Sequence, residues 1–217
     1  MASRVLTVVL LVGLCSGSLA LVPRLKGCHL PGNQQGYEPV QPIAFSHRMH
    51  AGELKIACLY CHFGAEKSRH AGVPAASMCM NCHRLVNAAW DVTFQQYVEG
   101  LKNNTAPQRI ISPELQKLYD SLGLDSQLQP DPKKQTTPIA WVKVHDLPDY
   151  ACFDHRAHAT AGVECQRCHG PVESMDRIRQ VQDLSMAWCI ECHRNPGQTG
   201  PAGKPLRPST DCAVCHY

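Results

Sequence analysis

Five times the chain reads Cys-x-x-Cys-His: Cys58/Cys61/His62, Cys79/Cys82/His83, Cys165/Cys168/His169, Cys189/Cys192/His193 and Cys212/Cys215/His216. Two thiols at this spacing can add across the two vinyl groups of one porphyrin, and the adjacent imidazole then lies beneath the iron as its proximal ligand. The pattern is that of c-type haem attachment. Ten of the thirteen cysteines are used this way. Structural zinc also draws on Cys-x-x-Cys elements, but a zinc ribbon needs no His directly after the second Cys. All five motifs have one, and five units do not divide into pairs. The cofactor expectation is therefore five haem c, with His62, His83, His169, His193 and His216 as proximal iron ligands.

An iron held from one side can take a sixth ligand, and the chain repeats a source of them. Phe45-Ser46-His47-Arg48-Met49-His50 stands ahead of the first motif, and Phe153-Asp154-His155-Arg156-Ala157-His158 stands ahead of the third. Imidazoles three residues apart on a helical turn share one side at different heights, so each pair can serve two neighbouring irons. This arrangement resembles the cytochrome c3/c7 class. The resemblance implies that His47 caps the iron at Cys58/Cys61 and His155 the iron at Cys165/Cys168, with His50 and His158 capping others. For the fifth distal ligand the candidates are His145, in Val144-His145-Asp146-Leu147-Pro148, and Met175; Met78 and Met186 are weaker. His29 and His70 pair with no motif, and Cys28 and Cys152 are left as thiols or one disulfide.

The elements that must carry these residues follow from composition and punctuation. Aromatics are only 6% of the 217 residues, few for a side-chain core of this size, so porphyrins are expected to replace one. The fold class is mainly α and irregular, with short helices and loops wrapped around five haems. Val5 to Val22 is uncharged between Arg4 and Arg24. Its length just suffices for a single transmembrane helix, and an uncleaved signal anchor is favoured over a cleaved signal peptide. The organisation is then an anchor over 1–26, a dihaem module over 27–83, a helical connector over 84–143 and a trihaem module over 144–217. Within the connector, Leu85, Ala88, Ala89, Val92, Tyr97, Val98 and Leu101 predict one helix ending near Gly100 to Asn104. Ser112-Pro113-Glu114 predicts the start of another that runs to Gly123. Residues 127–138 and 197–208 read as loops. The formal charge of +3, with no basic run, argues against a nucleic-acid surface.

The body from about Pro42 to Tyr217 resembles the pentahaem cytochrome c subunit of alternative complex III, a bacterial quinol:electron-acceptor oxidoreductase. The residues that carry this are Ile43 to His47, Ala57 to His62, Ser77 to His83, Trp141 to Tyr150 and the run from Gly162 to Arg194. Cys152 departs from it, standing where an aromatic is expected. The resemblance implies a subunit without a substrate site of its own, on the periplasmic face of the inner membrane. Electrons would pass through its haems to a soluble acceptor. The implied partners are integral-membrane quinol-oxidising subunits, an iron–sulfur subunit and a monohaem cytochrome c subunit. A free-standing periplasmic shuttle and a catalytic multihaem reductase are the alternative classes. Neither a nucleophile–base pair nor a phosphate loop is evident in the sequence.

Overall fold

The computed structural model describes residues 34–216 apart from 196 and 198. The anchor over 1–26, His29 and Cys28 lie outside the described residues. Among those described, no helix is long and apolar enough to cross a membrane. Among the described residues eight α-helices form: α1 Cys58–Cys61, α2 Ala76–His83, α3 Trp90–Asn103, α4 Pro113–Ser121, α5 His155–Thr160, α6 Cys165–His169, α7 Met186–Arg194 and α8 Cys212–Cys215. A π-helical turn, Arg48–Glu53, and 3₁₀ turns at Phe63–Glu66, Val172–Ser174 and Pro201–Gly203 join them. The described residues contain isolated β-bridges but no strand ladder. The architecture is helical and irregular.

Each attachment motif occupies a helix of its own or the end of one. An α-helical turn brings residues three apart to one side, which is the geometry that two thiols need on a single ring. Capping shows why these short helices start where they do. Asp211 accepts from the N–H of Ala213 ahead of α8, and Ser185 accepts from Trp188 N–H ahead of α7. Asp154 does the same for Arg156 ahead of α5. Each cap satisfies an N–H that has no partner within the helix.

In the connector, α4 begins as expected: Ser112 accepts from Leu115 N–H, and Pro113 takes the first turn. The first connector helix starts five residues later than the apolar stripe suggests, at Trp90 rather than Leu85. The intervening residues are otherwise engaged. Leu85 and Val86 donate their N–H groups to Cys82 O, and Val86 O meets the His83 ring, so the chain there finishes α2 before α3 can begin. Helix α3 ends at Asn104, a left-handed residue at φ 53°.

The two repeat units clasp each other reciprocally. The π-turn ahead of the first motif packs on the 3₁₀ turn after the third motif, and α5 ahead of the third packs on the 3₁₀ turn after the first. Gly52 is required at the first contact, because a Cβ there would collide with the Glu173 carbonyl. Buried apolar side chains are few among the described residues: Leu118, Tyr119, Val144 and Met175. Meanwhile Leu59, Tyr60, Phe63, Val73, Met186 and Val214, near the motifs in sequence, are exposed. Such apolar surface beside the attachment motifs is what a porphyrin would cover.

Candidate haem-binding sites

The proximal histidines share one detail. In four of the five motifs the Nδ1 atom meets a backbone carbonyl: His62 with Gly72 at 2.7 Å, His83 with Val86 at 2.8 Å, His193 with Ser209 at 2.6 Å and His216 with Tyr150 at 3.2 Å. A carbonyl only accepts, so Nδ1 carries the proton and Nε2 is left with a free lone pair. This is the tautomer that a metal ligand needs. His169 differs: its Nδ1 lies 3.2 Å from Nε2 of His145.

The paired histidines ahead of each unit meet the motifs at close to one separation. His50 faces His83 with ring centres 6.1 Å apart, His158 faces His193 at 6.1 Å, and His155 faces His169 at 6.4 Å. An imidazole nitrogen binds a metal at about 2 Å and its ring centre lies about 1 Å further back, so two rings on opposite faces of one ion are roughly 6 Å apart. The spacing fits an iron between each pair. These rings are oriented in the same manner as the proximal ones. His50 Nδ1 meets Ser46 O at 2.9 Å, His158 Nδ1 meets Asp154 O at 3.0 Å, and His155 Nδ1 meets Arg69 O at 3.0 Å. Phe45 stacks on His50, and Phe153 on His158, at 4.3 and 4.6 Å; each Phe also meets the other His of its pair edge-on. This is why an aromatic precedes both pairs.

Electrostatics point the same way. Burial, then the neighbouring His62 and His50, lowers the pKa of His47 to about 4. Burial, then the imidazoles of His145, His155, His62 and His47, lowers His169 to about 3. Burial followed by His155 lowers His145 as well. Neutral imidazole is the form that binds metal. His47 sits beside His62, and its Nδ1 is buried without a hydrogen-bond partner. The motif cysteines are in no disulfide. Paired rings, fixed tautomers and available thiols all fit covalent haem c.

The motifs also have neighbours in space. Burial and the adjacent Cys61 raise the Cys79 thiol, and Asn81 Nδ2 donates to Tyr60 Oη at 3.0 Å between the second and first motifs. Burial and then the neighbouring Cys58 raise the Cys165 thiol, joining the first and third. Cys168 is pushed up to about 11 by burial, then by Cys192 and Cys189, joining the third and fourth. Burial and then Cys215 raise Cys189, joining the fourth and fifth. The spatial order is second, first, third, fourth, fifth.

The two candidates for a fifth distal ligand are placed differently. His145 lies against His169, as above. Met175 is buried at 6% exposure, and its carbonyl accepts from Arg48 N–H at 2.9 Å, which ties it to the π-turn. The aromatic ring beside His216 is Tyr150, 5.9 Å away. Cys152 carries no disulfide to a described cysteine, and its N–H donates to Cys215 O at 2.7 Å. Sequence reasoning missed the carbonyl acceptors of Gly72, Val86, Ser209, Arg69 and Tyr150. Backbone acceptors carry no signature of residue type. Arg69 does more than accept: its guanidinium donates to Phe153 O at 3.1 Å, tying the stretch after the first motif to the second His pair.

Comparison with known proteins agrees with this geometry. Residues 151–217 match the family described as cytochrome c7 and related cytochrome c. The multihaem cytochrome c subunit of menaquinone reductase from Nitratidesulfovibrio vulgaris is 24% identical over 196 residues, covering 81% of this chain and 76% of that protein. Residues 151–217 are therefore similar to the c7-type cytochromes c, whose haem is bound covalently, and the chain over most of its length is similar to that multihaem electron-transfer subunit.

Proposed function

From these similarities we propose that this chain is the electron-transfer subunit of a membrane quinol-oxidising complex of the alternative complex III kind. It carries five haem c groups and delivers electrons toward a soluble periplasmic acceptor. The observation that carries the reading is the set of opposed imidazoles: His50/His83, His158/His193 and His155/His169 stand 6.1–6.4 Å apart. Ligands on both faces leave an iron no position for a substrate, which suits transfer and not catalysis. Bound haem supplies one-electron chemistry, its iron alternating between ferric and ferrous.

The chain's own residues supply the rest. Cys58/Cys61, Cys79/Cys82, Cys165/Cys168, Cys189/Cys192 and Cys212/Cys215 fix the rings covalently. His62, His83, His169, His193 and His216 bind from one side, and His47, His50, His155 and His158 from the other. Carbonyls on Nδ1 hold most of these rings in place, so that little reorganisation accompanies a change of charge. The helical turns that bear each His pair set neighbouring sites side by side, and the contacts between motifs extend this into a single row from the second motif to the fifth. Partners in this reading are integral-membrane quinone-site subunits, an iron–sulfur subunit and a monohaem cytochrome c subunit. The body faces the periplasm, anchored by residues 1–26.

The name of the related subunit favours a second reading, in which the same row serves quinone reduction. Purification from the native membrane tests both. The first reading expects co-purifying multi-span subunits, a mass increment of five haems, and haem reduction on adding a quinol. Haem oxidation by added menaquinone, with no reduction by quinol, selects the second. A chain that purifies alone and carries its electrons without partners refutes both.

A further inference from the structure

We propose that His145 is a positioning residue for the third haem site: its Nε2 accepts the Nδ1–H of His169 and so sets both the orientation and the electron-donating strength of that proximal ligand. This rests on the reading that Cys165 and Cys168 carry haem c and that His169 binds its iron.

The argument begins from the exception among the five motifs. Four proximal histidines give Nδ1–H to a backbone carbonyl, and His169 alone gives it to a side chain, at 3.2 Å. With Nε2 of His169 directed to iron, its Nδ1 must carry the proton. The contact atom of His145 must therefore be the acceptor, and the His145 proton lies on its own Nδ1. The two rings meet edge to face, with centres 4.4 Å apart and planes at 78°, so the His145 ring packs directly against the proximal imidazole. An imidazole nitrogen is more basic than an amide oxygen and draws more strongly on the shared proton. That leaves more negative charge on His169 and stabilises the ferric iron it binds; raising ligand basicity in this way is a recognised effect of groups behind a metal ligand.

Orientation follows from the same contact. His169 and His155 are almost parallel, at 8°, whereas His50/His83 and His158/His193 are tilted by 56° and 42°. His155 is held by Arg69 O and His169 by His145, so each ring of the parallel pair has one fixed partner. Val144, buried next to His145, anchors the segment that delivers it. The third site stands in the middle of the row of five, so its potential sets how evenly the two halves share electrons.

The experiment uses the haem-loaded full chain, with His145→Ala and His145→Gln. Each is read by haem mass, a redox titration and low-temperature electron paramagnetic resonance. Haem content should stay at wild type. One midpoint should rise in His145→Ala, and the low-spin signal of the near-parallel pair should shift or broaden. His145→Gln offers a carbonyl acceptor, so it should recover the signal while the midpoint stays raised. Midpoints and spectrum unchanged in both variants would overturn the proposal. A new high-spin ferric signal would also overturn it, because it would make His145 a distal ligand. Loss of haem at Cys165/Cys168 in the wild type would instead refute the underlying haem reading. If His145→Ala fails to accumulate, His145→Gln alone decides, since an unshifted midpoint there excludes the tuning role.

Discussion

Replacing Tyr119 with Phe tests how the haem-free connector stabilises the second attachment site. The Tyr119 ring is fully buried, and its hydroxyl donates to His83 O at 2.6 Å while accepting from Asn87 Nδ2 at 2.7 Å. Asn87 Nδ2 also donates to His83 O, at 2.9 Å. That carbonyl ends α2, where the last turn has no helical N–H to offer. Phe keeps the ring, so no cavity forms, and the carbonyl retains one donor. The expected cost is then the two hydrogen bonds of the hydroxyl, about 2 kcal/mol net. Asn87→Ala leaves the hydroxyl in place and should cost about the same. The double variant removes three bonds in all, because the Asn87–Tyr119 bond is already lost in either single. The double loss should therefore fall short of the sum of the singles by about 1 kcal/mol. Urea unfolding of haem-loaded protein, followed in the far ultraviolet and at the haem band, should show an unchanged slope. With a slope of about 2 kcal/mol/M, Tyr119→Phe should lower the midpoint by about 1 M. A Tyr119→Phe midpoint equal to wild type, or strict additivity in the double variant, would refute the network.

Other outcomes follow from the same geometry. His50→Ala should keep the haem at Cys79/Cys82, because both thioethers and His83 remain, while one ferric iron turns high-spin in the optical spectrum. Gly52→Ala drives a Cβ into the Glu173 carbonyl and should destabilise the clasp between the units by about 1–3 kcal/mol, measurable as an earlier thermal transition. The Asp154 carboxylate is held at a pKa of about 2, first by its hydrogen bond with Arg156. Because the folded value lies below the unfolded one, its stabilisation is present above about pH 4 and is lost as pH falls through about 2. Circular dichroism should show acid loss of the α5 segment displaced to higher pH in Asp154→Asn, and an unchanged acid profile would contradict the role of this cap. If Met175 is a distal ligand, Met175→His lowers one midpoint; five unchanged midpoints would leave it as packing alone.

Much of the site is legible from the chain because its chemistry is local. Two thiols and an imidazole within five residues need only one helical turn to bind a ring, and that turn is a property of nearest neighbours. The Phe-x-His-x-x-His segments are local in the same sense: backbone carbonyls four residues back orient His50 and His158. Ser112 and Pro113 mark a helix start by their own chemistry. Tertiary structure decided what depends on residues far apart. The start of α3 moved to Trp90 because Val86 is committed to His83. Arg69 reaches His155 across 86 positions and Tyr150 reaches His216 across 66, both through carbonyls that any residue possesses. His145 showed the limit most plainly. Its type marked it as a candidate iron ligand, but that its Nε2 lies against Nδ1 of His169, 24 positions away, is a fact of the fold alone.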